Sequence, residues 1–204
     1  MSLSSGRSKV CVLSIDGVPH GLAQSMVDQG VMPNLASLVS QVGLHKMRSV
    51  QPTVSCVAWS TFMTGCNPGK HGIYGFIDRR ADSYDLMFPN AATRTAPDLW
   101  EILSRAGKRV FGMNVPTSYP PQPVNGIIIG GFLTPSLTKA TSPPSVSDYL
   151  QQIGYRIDCD PMLGRTDKRA LVQDLHRTLD ARTEAMFHYL DQENWDFFHT
   201  HHGQ

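Results

Sequence analysis

Asp16 follows the apolar run Val10-Cys11-Val12-Leu13-Ser14-Ile15 and precedes Gly17. A carboxylate there stands at the end of a buried strand, where an anionic oxygen suits a hard or borderline cation. Ser55 opens a second segment, Ser55-Cys56-Val57-Ala58-Trp59-Ser60-Thr61-Phe62-Met63-Thr64-Gly65, which reads as a helix. A helix start offers backbone N–H groups without internal partners and a dipole that favours negative charge. Such a place can hold a phosphate or a serine alkoxide. Serine is a weak nucleophile at its own pKa, so a base or a metal must activate it. No base lies nearby in the sequence, whereas a cation held partly by Asp16 would serve. The pair therefore reads as half of a metal-dependent phosphoryl-transfer site, with Ser55 as nucleophile and both Asp16 and Ser55 as metal ligands. Taken singly, Asp16 also fits a turn or capping aspartate, and Ser55 a plain N-cap serine.

Other reactive side chains have plainer accounts beside the functional one. Lys70 and His71 are candidate substrate contacts, yet Gly69 and Gly72 around them also fit a tight turn. Asp78, Arg79 and Arg80 read as a solvated charge run. His199 and His201 share one face of an expected strand and His202 takes the other. Ordinary strand residues, or a frayed end, describe these three better than metal ligands do.

The elements that must position Asp16 and Ser55 follow from hydrophobic periodicity. Strands are expected at residues 9–15, 44–50, 109–115, 126–129, 155–159 and 195–201. Helices are expected at 21–27, from Pro33, at 55–64, 97–106 and 146–153, and from Thr166 to about 193. The stripe Leu171, Leu175, Leu179, Met186 and Leu190 of the last helix is expected to face the core. Residues 72–95 show no clean period and read as a surface excursion near the site. Strands alternating with helices imply an α/β fold, a mostly parallel sheet covered on both faces. Sites in such sheets lie beyond the carboxyl ends of the strands.

The bulk numbers exclude several classes. With 204 residues, 41% hydrophobic content and a net charge of +1, the chain suits one domain with a real core. No basic cluster points to nucleic acid and no apolar stretch reaches membrane-spanning length. Residues 1–8 read as a disordered leader and 9–204 as a single α/β domain. Cys11, Cys56, Cys66 and Cys159 are scattered without a CxxC pair, which fits buried free thiols and a reducing cytoplasm.

In order and spacing, several motifs resemble the alkaline phosphatase superfamily, most of all its type I phosphodiesterase/nucleotide pyrophosphatase branch and the related phosphomutase-like proteins. They are Ile15-Asp16-Gly17, Met32-Pro33-Asn34-Leu35, Pro52-Thr53-Val54-Ser55, Thr64-Gly65, Asn67-Pro68-Gly69-Lys70-His71-Gly72, Leu99-Trp100-Glu101-Ile102-Leu103 and Gly107-Lys108-Arg109-Val110. The family's nucleophile lies ten residues before the glycine of a Thr-Gly pair, which here gives Ser55. The resemblance implies a three-layer α/β/α sandwich, two divalent ions (zinc, with manganese as the alternative), a phosphoserine intermediate and a small phosphate mono- or diester as substrate. Ala58 stands where the pyrophosphatase branch often has a phosphoryl-contacting asparagine. The family's remaining Asp and His ligands lie further along than residue 204, so the sheet is expected to be truncated at the C-terminus. At most one partial metal site is expected here, with weak or absent activity in the isolated chain and an exposed sheet edge open to self-association. Phosphomutase-type transfer, or a binding module that keeps the fold without the chemistry, are the alternative functions.

Overall fold

In the computed structural model, which describes residues 8–203, apolar β-branched runs form the strands and segments of helical period cover them. Strand β1 (Val10–Ile15) leads into helix α1 (His20–Asp28) and helix α2 (Pro33–Val42), the latter opened by its own proline. Helix α3 (Ser55–Thr64) ends at Gly65, whose φ of 63° is the left-handed conformation that closes many helices. A short helix α4 (Pro68–His71) and a small hairpin, β2 (Asp78–Arg79) against β3 (Leu86–Met87), precede α5 (Leu99–Arg105). Strands β4 (Val110–Met113), β5 (Gly126–Ile129) and β6 (Thr141–Ser142) follow. Helices α6 (Val146–Gln152), α7 (Leu163–Thr166) and α8 (Lys168–Gln192) lead to the last strand, β7 (Phe197–His202).

The main sheet has the order β1-β7-β4-β5-β6. All pairings are parallel except that of β6. Because side chains alternate along each strand, the sheet builds two cores. Phe111, Met113, Ile127, Ile129 and Phe198 meet Leu150 of α6 with Ala185 and Tyr189 of α8 on one face. Val110, Ile128 and Phe197 meet Met63 of α3 and Trp100 of α5 on the other. Helices thus cover both faces of the sheet, the three-layer arrangement expected. Backbones approach closely where β4 meets β5. A Cβ on Gly126 would lie 1.7 Å from the Val110 carbonyl oxygen. Gly126→Ala is expected to destabilise the domain by about 3 kcal/mol or more, seen as a fall of roughly 10 °C in the melting temperature.

Several expectations need correction. Residues 44–50 form no strand, because among the described residues they find no partner to pair with, and a lone strand leaves its backbone groups unpaired. Residues 155–159 are irregular, with a bend at 157–158, since the carbonyls of Arg156 and Ile157 are taken by the Arg182 guanidinium instead of a neighbouring strand. The cap of α8 is Asp167 and not Thr166, its carboxylate accepting from the Arg169 and Ala170 N–H groups. The buried face of α8 is Asp174, Thr178, Ala181, Arg182, Ala185 and Tyr189, while Leu175, Leu179 and Leu190 of the expected stripe are exposed. Ion pairs make that polar face buriable: Arg156 holds Asp174 and Arg182 holds Asp158. Leu175 and Leu179 lie beside Ile15 near the open edge strand β1. Strand β7 starts two residues later than expected, the Trp195 indole turning instead to donate to the Tyr189 carbonyl at 2.6 Å. The leader expected at residues 1–8 lies, Ser8 apart, outside the described residues. Among the described residues no helix is long and apolar enough to cross a membrane.

Candidate active site

Parallel strands bring their carboxyl ends to one rim of the sheet, and the chemistry-bearing residues collect there. Asp16 follows β1, Asn114 follows β4 and Gly203 follows β7. These three line a cavity of about 330 Å³ together with Ser55, Asp158, His201, Pro116, Phe76 and Phe132. The structure thus brings Asp16 and Ser55 to one cavity.

The first helical residue of α3 is Ser55, preceded by Val54 in extended conformation. The helix's own hydrogen bonds begin with the Val57 N–H, which donates to the Val54 carbonyl at 3.0 Å. The Ser55 and Cys56 amides precede that ladder at the positive end of the helix. The middle of the helix is fixed by Ser60, whose hydroxyl lies 2.8 Å from that of Thr117 in the loop after β4.

Asp16 is held on both carboxylate oxygens. The Gly17 N–H donates to Oδ1 at 2.8 Å and the Trp59 indole N–H to Oδ2 at 3.2 Å. His201 Nε2 lies 4.0 Å from the same Oδ2, with the Trp59 ring edge-on to the imidazole at 4.6 Å. Both His201 ring nitrogens are buried and lack a hydrogen-bond partner. Burial, chiefly, pushes its pKa down to about 4 against the pull of Asp16, so the ring is neutral at neutral pH. Gly203 leaves the space they need: a Cβ there would lie 2.5 Å from the His201 ring and 2.8 Å from the Asp16 Cβ.

Sequence reasoning did not select His201 as a ligand. Its partner is 185 residues away and meets it only because β1 and β7 pair in register, with Ser14 opposite His201 and Ile15 opposite His202. His199, on the same strand face, is a packing residue. Its Nε2 pairs with the Ser14 hydroxyl at 2.8 Å and its ring stacks on Trp100.

Asp158 was also missed. It reaches the cavity from the 155–159 segment, backed by Arg182 at 3.2 Å. That guanidinium is 4% exposed and also serves the Ile157 and Gly203 carbonyls. The Asn114 amide oxygen accepts from the same Arg182 at 3.0 Å and its nitrogen donates to the Ile157 carbonyl at 3.2 Å. Among the described residues, the cavity wall therefore carries two carboxylates and no lysine or arginine. Such a wall attracts a cation and repels an anionic ester unless a cation intervenes.

The two candidate substrate contacts stand apart from this cavity. His71 is fully buried; its Nδ1 accepts from the Ile73 N–H at 3.1 Å and its Nε2 lies 3.0 Å from the Thr61 hydroxyl. Both ring nitrogens are thus in use, and the residue ties α4 to α3. Lys70 is exposed, and its carbonyl accepts from the Thr95 hydroxyl. The excursion at residues 72–95 reaches the site through Phe76 alone. Its far end is pinned by Arg94, which pairs with Asp98 at 2.6 Å and donates to the Thr117 carbonyl.

Among the described residues no group of three or more His, Cys, Asp or Glu side chains converges as a metal cluster. The donors that come together are the Asp16 carboxylate and the unpartnered His201 imidazole, and the Ser55 hydroxyl belongs to a residue lining the same cavity. Their chemistry fits one divalent ion.

Two solved structures of phosphonoacetate hydrolase from Sinorhizobium meliloti 1021 share the fold. The complex with phosphonoformate superposes with a TM-score of 0.67 at 16% identity, over 96% of this chain and 46% of that one. The complex with phosphonoacetate gives 0.65 at 17% identity with the same coverage. The chain therefore spans about half the length of the hydrolase it resembles. No curated protein matches the sequence. The sequence profile of the type I phosphodiesterase / nucleotide pyrophosphatase family matches residues 10–204, and the chain belongs to that family.

Proposed function

We propose that this chain supplies the nucleophile, Ser55, and a metal-binding carboxylate, Asp16, to a metal-dependent phosphohydrolase acting on small phosphate esters. One observation carries the proposal: Asp16 and the helix-start serine Ser55 line a single cavity at the carboxyl ends of the strands. Family membership and the hydrolase fold support the reaction class.

A zinc or manganese ion, when bound, supplies the positive charge that lowers the serine pKa and offsets the charge of the phosphoryl oxygens. Asp16 and His201 hold the ion, and the Trp59 and Gly17 N–H groups keep the carboxylate oriented. The Ser55 Oγ passes its proton to solvent water and attacks phosphorus. A new Oγ–P bond forms as the P–O bond to the leaving alcohol breaks, and that alcohol departs with a proton from water. Water then attacks the phosphoserine, the Oγ–P bond breaks, inorganic phosphate or a monoester leaves, and the serine recovers its proton. The Ser55 and Cys56 amides at the start of α3 face the negative charge of the non-bridging oxygens. A second ion, as the family resemblance implies, would need ligands beyond the donors described. Cys11, Cys56 and Cys66 are free thiols, which supports a reducing compartment such as the cytoplasm.

Zinc calorimetry and hydrolysis assays test the proposal together. Wild-type chain is expected to bind zinc stoichiometrically, and Asp16→Ala to weaken binding by about 100-fold or more. Hydrolysis of p-nitrophenyl phosphate and of its bis-ester should rise with added zinc or manganese. Unchanged zinc affinity in Asp16→Ala would remove this carboxylate from the site.

A further inference from the structure

His71 stands at the root of the 72–95 excursion, and its hydrogen bonds fix which ring nitrogen carries the proton. Nδ1 accepts from the Ile73 N–H at 3.1 Å, so the neutral ring holds its hydrogen on Nε2, which donates to the Thr61 hydroxyl at 3.0 Å. The His71 ring and the Ile73 side chain are both fully buried.

The two ends of the excursion meet here. The Thr95 N–H donates to the His71 carbonyl at 3.1 Å, and the Thr95 hydroxyl donates to the Lys70 carbonyl. Gly72 turns the chain outward with a φ of 76°, and a Cβ there would lie 3.4 Å from the Thr95 hydroxyl. Thr61 ties this root to α3, the helix that begins at Ser55. A short way along the excursion, Phe76 lines the cavity.

A second proton on the ring meets two obstacles. It must sit on Nδ1, where it would face the Ile73 N–H donor to donor and cost the bond that Nδ1 now accepts. The added charge would also be buried under the influence of Arg94, whose side chain is 2% exposed. Asp98 pairs with that guanidinium at 2.6 Å and Glu101 lies 3.9 Å from it; among the described residues no carboxylate pairs with the imidazole. Helix α3 carries no charged side chain, and Lys70 of α4 is exposed. Burial first, and Arg94 second, hold the His71 pKa below the ordinary histidine value.

We propose that His71 is an acid-sensitive latch: its protonation releases the Ile73 N–H and frees the near end of the excursion, and with it the Phe76 wall of the cavity, while the sheet stays folded. The latch works whatever reaction the cavity performs. Because the pKa is depressed in the folded chain, the closed state is fully favoured above the unfolded value of about 6.5 and loses ground as the pH falls below it.

Burial depresses His199, His201 and His202 as well, so acid weakens the whole fold and the readout must be local. Hydrogen exchange of the metal-free 204-residue chain, corrected for the intrinsic effect of pH, supplies it. From about pH 7 to about pH 5.5, protection of the Ile73 amide and of residues 74–77 is expected to fall about three- to ten-fold relative to β4 and β7. His71→Asn keeps an acceptor for the Ile73 N–H and has no proton to gain, so it should lose that difference. Nitrogen NMR of wild type, which needs no variant, should show the Nε2–H tautomer and a titration below about 6.5. An Nδ1–H tautomer, a titration at or above that value, unchanged local protection in wild type, or an equal fall in a folded His71→Asn would overturn the latch.

Discussion

Ser55→Ala is expected to reduce whatever metal-stimulated phosphate ester hydrolysis the chain shows to background, because removing a nucleophile deletes the bond-forming atom itself. The substitution is mild for the fold. Alanine is the best helix former, and the cap of α3 does not use a side-chain hydrogen bond. Lost activity with an unchanged melting temperature would therefore report chemistry. Acid-quenched enzyme should carry phosphate on the peptide containing Ser55 in wild type and none in Ser55→Ala. Ser60→Ala is a useful contrast. Its hydroxyl pairs with Thr117 on the buried side of the same helix, so it should cost about 1 kcal/mol of stability and leave phosphorylation in place. Equal hydrolysis rates in wild type and Ser55→Ala would exclude the serine from the reaction.

The largest stability effect is expected at Arg182. Its guanidinium is buried on α8 and reaches three segments: the Arg156 and Ile157 carbonyls with the Asp158 carboxylate, the Asn114 amide after β4, and the Gly203 carbonyl after β7. Arg182→Met keeps the helix and much of the volume but leaves those buried acceptors without their donor. The cost is expected to be about 3–5 kcal/mol, or a fall on the order of 10 °C in melting temperature. Arg182→Lys should recover only part of it, since one ammonium cannot span acceptors that a planar fork reaches together. A melting temperature for Arg182→Met within about 2 °C of wild type would mean that water or neighbouring groups replace the guanidinium without loss.

The contrast between α3 and α8 shows what local sequence carries. Helix α3 was legible at both ends, because a helix start after Val54 and a left-handed glycine at position 65 are backbone chemistry that needs no partner. The start of α8 was legible to within one residue for the same reason. Its orientation was not. Leucines at helical spacing pointed to one face, and the molecule buries the adjacent one, because Arg156 arrives from across the fold to satisfy Asp174 and the helix's own Arg182 reaches out to Asp158. The 155–159 segment failed in the same way: its composition suits a strand, but a single distant guanidinium claims its carbonyls.

By itself the sequence determined the alternation of strands and helices, the parallel sheet that follows from it, and a carboxylate after β1 with a hydroxyl at the start of α3. Periodicity, caps and turn residues act over a few positions, so they can be read one segment at a time. The tertiary structure alone decided that His201 comes to Asp16 and that Asp158 faces the cavity. Those meetings depend on strand register and on side chains from segments up to 185 residues apart, as Ser14 and His199 are. Pairings at such range are set by packing the whole sheet between its helices, and no local pattern encodes them.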